Sequence, residues 1–76
     1  MGWFEEAATV FADDDLRVYY DEVHSGKEDR FVALGRSSPG RILVVVHCYR
    51  KPREIIRIIS ARAATKRERA WHEERI

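Results

Sequence analysis

The sequence predicts an α+β fold, a single domain over residues 1–76 with a short N-terminal helix, a four-stranded antiparallel β-meander and a C-terminal helix. Short runs of strand-forming residues alternate with turn signals through the middle of the chain. Apolar residues at helical spacing and a helix-capping motif occur only near its two ends. A chain of 76 residues can bury one thin core and has little stability to spare.

The first half of the sequence predicts one helix and two strands. Residues 4–12 carry apolar side chains at helical spacing, and acids lie in the first turn, where the helix dipole favours them. Residues 16–20 and 30–36 are rich in strand formers. The polar stretch 21–28 between them is predicted to be a loop.

The second half predicts two further strands and the last helix. Residues 37–40, Ser-Ser-Pro-Gly, form a tight turn, because proline and glycine suit its dihedral angles. Residues 42–46 are apolar on both faces and predict the central strand. After a turn at 50–53, residues 54–60 pair back as the fourth strand. A Thr-Lys-Arg-Glu capping box then begins a helix at 66–75.

The central strand predicts an association with a second chain. A strand that is apolar on both faces needs a cover on both faces, and only two short helices are available, one of them mostly charged. Either an element is missing or another molecule covers the exposed face. We expect a homo-oligomer when the protein is alone, or a partner protein.

Charge is unevenly distributed along a chain whose net charge is +1. Residues 1–29 carry nine acids against two bases, whereas residues 30–76 carry twelve bases against four acids. Such segregation can create a basic surface for an anionic partner. The two halves can equally lie side by side and neutralise each other, and both arrangements stay open.

Nothing in the sequence predicts export or a membrane partner. The longest unbroken apolar run, residues 42–46, is far too short to span a bilayer. The first residues lack the basic and apolar regions of a secretory signal. Cys48 is the only cysteine and cannot form an internal disulfide. We therefore expect a cytoplasmic location.

Arg57 lies inside an otherwise apolar strand. A guanidinium stays charged in proteins and is costly to bury without a partner. Strand alternation places Ile55, Arg57 and Ile59 on one face and the intervening residues, with Ser60, on the other. Arg57 therefore either pairs with an acid of a neighbouring element or faces a surface that binds an anion.

The fourth strand runs into a basic segment at the start of the last helix. Unpaired amides at a helix start favour anions, and arginines gathered there suit a phosphate backbone, which makes RNA the leading candidate ligand. The alternative is a solvated helix face. Tyr49 and Trp71 can stack on an unpaired base, although Trp71 more simply anchors the helix. The basic candidates are Arg57 and Arg62 at the phosphate, with Arg36, Lys66, Arg67 and Arg69 as further RNA-binding residues.

The three histidines, His24, His47 and His72, lack metal-ligand spacing and have no cysteine cluster beside them. We therefore expect no metal and no other cofactor. His47 ends the central strand, and His72 follows Glu68 on one helical face. Either can transfer a proton during RNA cleavage, although a sheet-end residue and a surface histidine are the simpler interpretations.

Four stretches, residues 4–11, 28–37, 40–46 and 57–69, carry a family resemblance over nearly the whole chain. The run Arg-Ile-Ile-Ser-Ala-Arg at 57–62 is the most specific part. The chain resembles the BrnT toxins of bacterial type II toxin–antitoxin systems. The resemblance implies a RelE-like fold, a ribonuclease activity that arrests translation, and neutralisation by a cognate DNA-binding antitoxin.

The resemblance also implies site residues. Arg57 and Arg62 would hold phosphate and stabilise the charge that develops on it, while we assign Glu68 to the capping box rather than to a general base. Relatives usually begin with a strand and a helix ending in a Lys-His-Gly segment, where this sequence has only residues 1–3. The alternative function is therefore a truncated, non-catalytic family member that binds antitoxin or self-associates.

Overall fold

The fold has two short α-helices around four β-strands, and the computed structural model describes it for residues 3–50 and 55–74. The predicted α+β class and the order of elements are confirmed. Residues 51–54 of the predicted turn and strand start, and residue 75 of the predicted last helix, lie outside the described residues. The elements are α1 (Trp3–Ala8), a 3₁₀ helix (Thr9–Ala12), β1 (Arg17–Tyr20), β2 (Phe31–Arg36), β3 (Ile42–Arg50), β4 (Ile55–Ala63) and α2 (Lys66–Glu73).

The four strands form one antiparallel sheet in the order β1-β2-β3-β4. Leu34 of β2 lies opposite Val44 of β3, which lies opposite Arg62 of β4. Cross-strand partners point to the same face of a sheet. We call the face that carries Leu34 and Val44 the α2 face, and the opposite face, with Leu43 and Val45, the α1 face.

The α1 face holds the first core cluster. Ala7 of α1 and Val10 of the 3₁₀ helix pack on Ala33, Leu43 and Val45, all of them fully buried. These helical residues recur at three-residue spacing, so one stripe of the helical segment covers the sheet. Burial of this stripe holds the N-terminal segment on the sheet.

Glu6 ties α1 to the turn between β2 and β3. Its buried carboxylate accepts hydrogen bonds from Nε and Nη2 of Arg41, at 2.7 and 2.6 Å, and from the Ser37 hydroxyl at 2.7 Å. The bonds from Arg41 and then Ser37 lower the pKa of the Glu6 carboxyl to about 2. The predicted turn is confirmed, and its Gly40 has a φ of 107°, a left-handed conformation that glycine adopts without strain.

The α2 face holds the second core cluster, in which Leu34 and Val44 pack with Ala64 just before α2. Trp71 of α2 contacts the Tyr19 ring edge-on across this face. The central strand needs no second chain to cover it, contrary to the sequence-based expectation, because the chain's own elements bury residues 42–45 on both faces. Self-association itself stays a prediction.

β4 contains a β-bulge at Ile59. Two consecutive residues of β3 lie opposite Ile58 and Ser60, so Ile59 between them has no cross-strand partner. An extra residue reverses the side-chain alternation beyond it. The prediction that Ser60 faces away from Arg57 is therefore wrong, since both point to the α2 face.

Candidate functional site

The bulge brings Arg57 and Arg62 to the same side of the molecule. Arg57 lies opposite Cys48 and Arg62 opposite Val44, four residues apart along β3. Strand geometry separates these positions by about 13 Å. In a regular strand, residues five apart would point to opposite faces. Both side chains are about half exposed, at 52% and 55%.

Arg62 is fixed by the start of α2. Its Nη1 and Nη2 donate to the two carboxylate oxygens of Glu68 at 2.8 and 2.9 Å, and Nη1 also donates to a backbone carbonyl. Glu68 accepts from the Thr65 amide, and the Thr65 hydroxyl accepts from the Glu68 amide, which confirms the predicted capping box. Hydrogen bonding from Arg62, and then from Thr65, outweighs burial and lowers the pKa of the Glu68 carboxyl to about 2. Glu68 is therefore a helix cap and a weak base.

Arg57 has a looser carboxylate partner. Glu28, in the loop before β2, places Oε1 3.5 Å from Arg57 Nη1 and Oε2 3.6 Å from Arg50 Nε. Arg57 Nη1 also lies 4.0 Å from the sulfur of buried Cys48, its cross-strand neighbour. The three charged groups form an exposed Arg-Glu-Arg bridge at the end of the α2 face remote from Glu68.

Tyr19 and Trp71 form an aromatic pair on the β1 side of the same face. Their ring centroids are 5.7 Å apart, and each residue is about 40% exposed. The guanidinium of Arg17 lies over Trp71, 4.8 Å from the ring centroid. Burial raises the pKa of the Tyr19 hydroxyl, and the Glu68 carboxylate adds to this effect. The hydroxyl therefore stays protonated at neutral pH and remains a hydrogen-bond donor.

His47 lies on the α1 face, across the sheet from both arginines. It is fully buried, it packs edge-on against the Phe11 ring, and its Nε2 lies 3.1 Å from the Tyr49 hydroxyl. Burial lowers the pKa of the His47 imidazole. The structure thus does not bring His47 together with Arg57 and Arg62.

His72 lies near the end of α2, on the buried side of the helix, and is 5% exposed. Its Nε2 lies 2.8 Å from Oδ2 of Asp13, while its Nδ1 is buried without a hydrogen-bond partner among the residues described. Burial opposes ionisation of Asp13, but the Arg36 and Asp15 amides and His72 outweigh it and lower the pKa of the Asp13 carboxyl. His72 therefore holds α2 against the segment after the 3₁₀ helix rather than facing solvent.

The other predicted RNA-binding residues are exposed, and the register places Arg36 opposite Ile42, on the α2 face as well. Arg36 lies at the end of β2 beside the turn, where its Nη1 donates to the Gly40 carbonyl at 2.9 Å. Lys66, Arg67 and Arg69 lie in the first half of α2, and Arg69 donates to the Ala64 carbonyl. The α2 residues extend the basic surface beyond Arg62.

Three residues of this surface carry no functional signal of their own in the sequence. The pattern predicts only a loop at Glu28, a turn at Arg50 and a strand at Tyr19. The order of the four strands in the sheet brings Tyr19 and Arg50 to one face, where Glu28 contacts Arg50. For Arg50 a usable signal was its position eight residues after Ile42, since an even spacing along β3 means the same face.

The amino-acid sequence matches a known family over most of its length. Residues 3–68 match the family described as ribonuclease toxin, BrnT, of type II toxin-antitoxin system. This match includes Arg57, Arg62 and Glu68 and ends before His72. No curated protein matches the chain. No helix in the described ranges 3–50 and 55–74 is long and apolar enough to cross a membrane.

A family match of this extent identifies the chain as a toxin that acts on RNA. The chain belongs to the BrnT family of ribonuclease toxins of type II toxin–antitoxin systems. Its substrate is therefore RNA, and its partner is a cognate antitoxin. The expected family and function are confirmed.

Proposed function

We propose that RNA binds and is cleaved on the α2 face, with Arg57 as the principal phosphate contact and Arg62 as a second one. The single observation that carries this proposal is the bulge at Ile59, which turns both guanidinium groups to one side. Because the two backbone positions lie about 13 Å apart, Arg57 and Arg62 suit two separate phosphates of one RNA strand rather than a single phosphate.

Charge stabilisation is the chemistry that these residues offer. When a 2′-oxygen attacks the adjacent phosphorus, the bond from phosphorus to the 5′-oxygen breaks, and the proton that the 2′-hydroxyl loses is balanced by one that the leaving 5′-oxygen gains. Negative charge grows on the phosphoryl oxygens in the transition state, and guanidinium donors aimed at them stabilise it. Arg57 suits this role because its ion pair with Glu28 is long and exposed. A phosphate oxygen can replace that carboxylate without disturbing the core.

Arg62 suits a secondary role. Of its five N–H donors, three are engaged by Glu68 and the Ala63 carbonyl, which leaves the Nε–H and one Nη2–H for a ligand. The Glu68 charge also offsets its own. Arg62 therefore orients an RNA strand rather than carrying the developing charge.

Tyr19 and Trp71 supply an apolar edge for the same RNA. Tyr19 lies opposite Val32, in the cross-strand row between the rows that hold Arg57 and Arg62. Aromatic rings beside a basic strand are a common platform for unpaired bases. We place the backbone of the RNA along β4 and its bases toward β1.

Proton transfer by either histidine requires a rearrangement. His72 becomes accessible only if its contact with Asp13 opens. His47 acts only on a substrate that reaches the α1 face. Arg57 and Arg62 need no change in the packing of the fold, because both side chains are about half exposed.

We propose that the protein–protein contact lies along the edge of β4, beside the RNA-binding α2 face. Ile55 and Ile56 lie at the start of this edge strand and are 58% and 37% exposed. An exposed edge strand can pair with another chain, either the DNA-binding antitoxin or a second copy. Sedimentation with and without Ile55→Lys tests this assignment, and an unchanged oligomeric state and antitoxin binding would contradict it. We also propose a cytoplasmic location, because cellular RNA is the substrate.

The test is cleavage of a defined single-stranded RNA by purified variants. Arg57→Ala should lower kcat by about 100-fold or more, the usual effect of losing a donor to the developing charge. Arg62→Ala should lower it less and mainly raise KM. Lys27→Ala removes one positive charge from an exposed loop position and serves as the control. Unchanged cleavage by Arg57→Ala in a folded protein would contradict the proposal.

A further inference from the structure

The Arg-Glu-Arg bridge of Arg50, Glu28 and Arg57 has the geometry of an occupied anion site. Each carboxylate oxygen of Glu28 faces a different guanidinium, at 3.5 Å for Arg57 and 3.6 Å for Arg50. A phosphodiester also presents two charged oxygens on one centre, so it can take the same two contacts. Both arginines lie on the α2 face, beside buried Cys48.

We propose that Arg50 and Arg57 form a binding site for one phosphodiester group of the RNA, and that Glu28 fills this site until RNA displaces it. The inference rests on the proposed function, because it names a subsite of the same surface. It adds Arg50 as a ligand and Glu28 as a competing internal anion.

RNA can displace Glu28 because the contacts of its carboxylate with Arg50 and Arg57 are weak. Its distances of 3.5 and 3.6 Å exceed those of a direct charged hydrogen bond, whereas Arg62 and Glu68 approach to 2.8 and 2.9 Å. The Glu28 side chain is 42% exposed, so solvent screens its attraction to the arginines. RNA can therefore displace Glu28, whereas Glu68 is held as part of a helix cap.

The loop keeps Glu28 close when its side chain moves away. The loop is closed at its base by a bond from the Asp21 amide to the Arg30 carbonyl, at 2.9 Å, and Ser25 accepts from the Arg30 amide at 2.9 Å. The backbone beside Glu28 is thus fixed at both ends. Displacement therefore needs only a change of side-chain rotamer.

The experiment measures binding of a short single-stranded RNA whose 2′-hydroxyls are methylated, so that it cannot be cleaved. Glu28→Gln should tighten binding about two- to five-fold, because the competing charge is gone. Glu22→Gln makes the same charge change at an exposed position of the same loop and corrects for long-range electrostatics. Arg50→Gln should weaken binding. In the Arg57→Gln background the Glu28→Gln gain should shrink toward that of Glu22→Gln.

Three outcomes separate this inference from the proposed function. Equal effects of Glu28→Gln and Glu22→Gln, or weaker binding by Glu28→Gln, would overturn the competing role of Glu28. Unchanged binding by Arg50→Gln would remove Arg50 from the site. If Arg57→Gln binds RNA as tightly as the unmodified protein, the proposed function itself fails. Circular dichroism of each variant identifies any loss of folding.

Discussion

Replacing Glu68 with Gln should destabilise the protein at neutral pH and not in acid. Glutamine keeps an oxygen that can accept from the Thr65 amide, so the capping box survives, but it removes the charge paired with Arg62. Arg62 is 55% and Glu68 26% exposed, and an exposed ion pair of this kind contributes about 1 kcal/mol at most. For a domain of this size, that loss lowers Tm by about 4–8 °C.

The pH dependence follows from the direction of the pKa shift. The pKa of the Glu68 carboxyl is lowered from 4.5 to about 2 in the folded protein. A lowered carboxyl pKa stabilises the fold above the unfolded value, and this contribution is lost as pH falls toward the folded value. The difference in Tm between the unmodified protein and Glu68→Gln should therefore be largest above pH 4.5 and shrink toward pH 2.

Thermal unfolding followed by circular dichroism, at several pH values between 2 and 7, measures this difference. Glu73→Gln, an exposed acid near the end of the same helix, controls for net charge. A loss of the same size at both ends of the pH range would refute the ion-pair explanation. No loss at pH 7 would mean that Arg62 is not held by Glu68 in solution.

Three further predictions concern the core. Gly35→Ala should cost about 1–3 kcal/mol in urea unfolding, because its Cβ would lie 3.0 Å from Val10 Cβ and 3.2 Å from the Val10 carbonyl oxygen. Gly26→Ala, with nothing within 4 Å, should cost much less, and equal costs would contradict the packing. Leu43→Ala should cost about 2–5 kcal/mol by the same measurement, since Leu43 is fully buried, and a loss below 1 kcal/mol would place it outside the core. In NMR spectra the His47 imidazole should titrate below the ordinary histidine pKa of 6.5, because the ring is buried. The neutral ring then contributes stability that is fully present above pH 6.5 and is lost as pH falls through the lower folded pKa. Titration at or above 6.5 would mean that the ring is not buried.

The fold was accessible from the sequence because local signals agree with one another. The apolar run at residues 42–46, the Ser-Ser-Pro-Gly turn and the Thr-x-x-Glu capping box each specify one element with little competition. Strand ends were less accessible, since β3 continues to Arg50 and β4 to Ala63. The added residues of both strands include polar ones, which adopt strand conformation only because they pair with a neighbouring strand.

The candidate site was accessible only in part. Arg57 and Arg62 stand out as charges near an apolar run, but the bulge that turns them to one side has no glycine to mark it and depends on pairing with β3. Burial of His47 and His72 depends on which elements pack over them, which sequence spacing does not reveal. Partners distant in sequence, such as Glu28 for Arg57, appear only after the strands are ordered.

The decisive measurement is an NMR titration of the arginine Nε–H signals with the methylated RNA, using ¹⁵N-labelled protein. If the α2 face binds RNA, the signals of Arg57 and Arg62 should shift with the RNA concentration. The signal of Arg41, which is held by Glu6 at the N-terminal helix, should stay in place. Shifts at Arg41 and none at Arg57 would show that RNA binds elsewhere and would contradict this account of the protein.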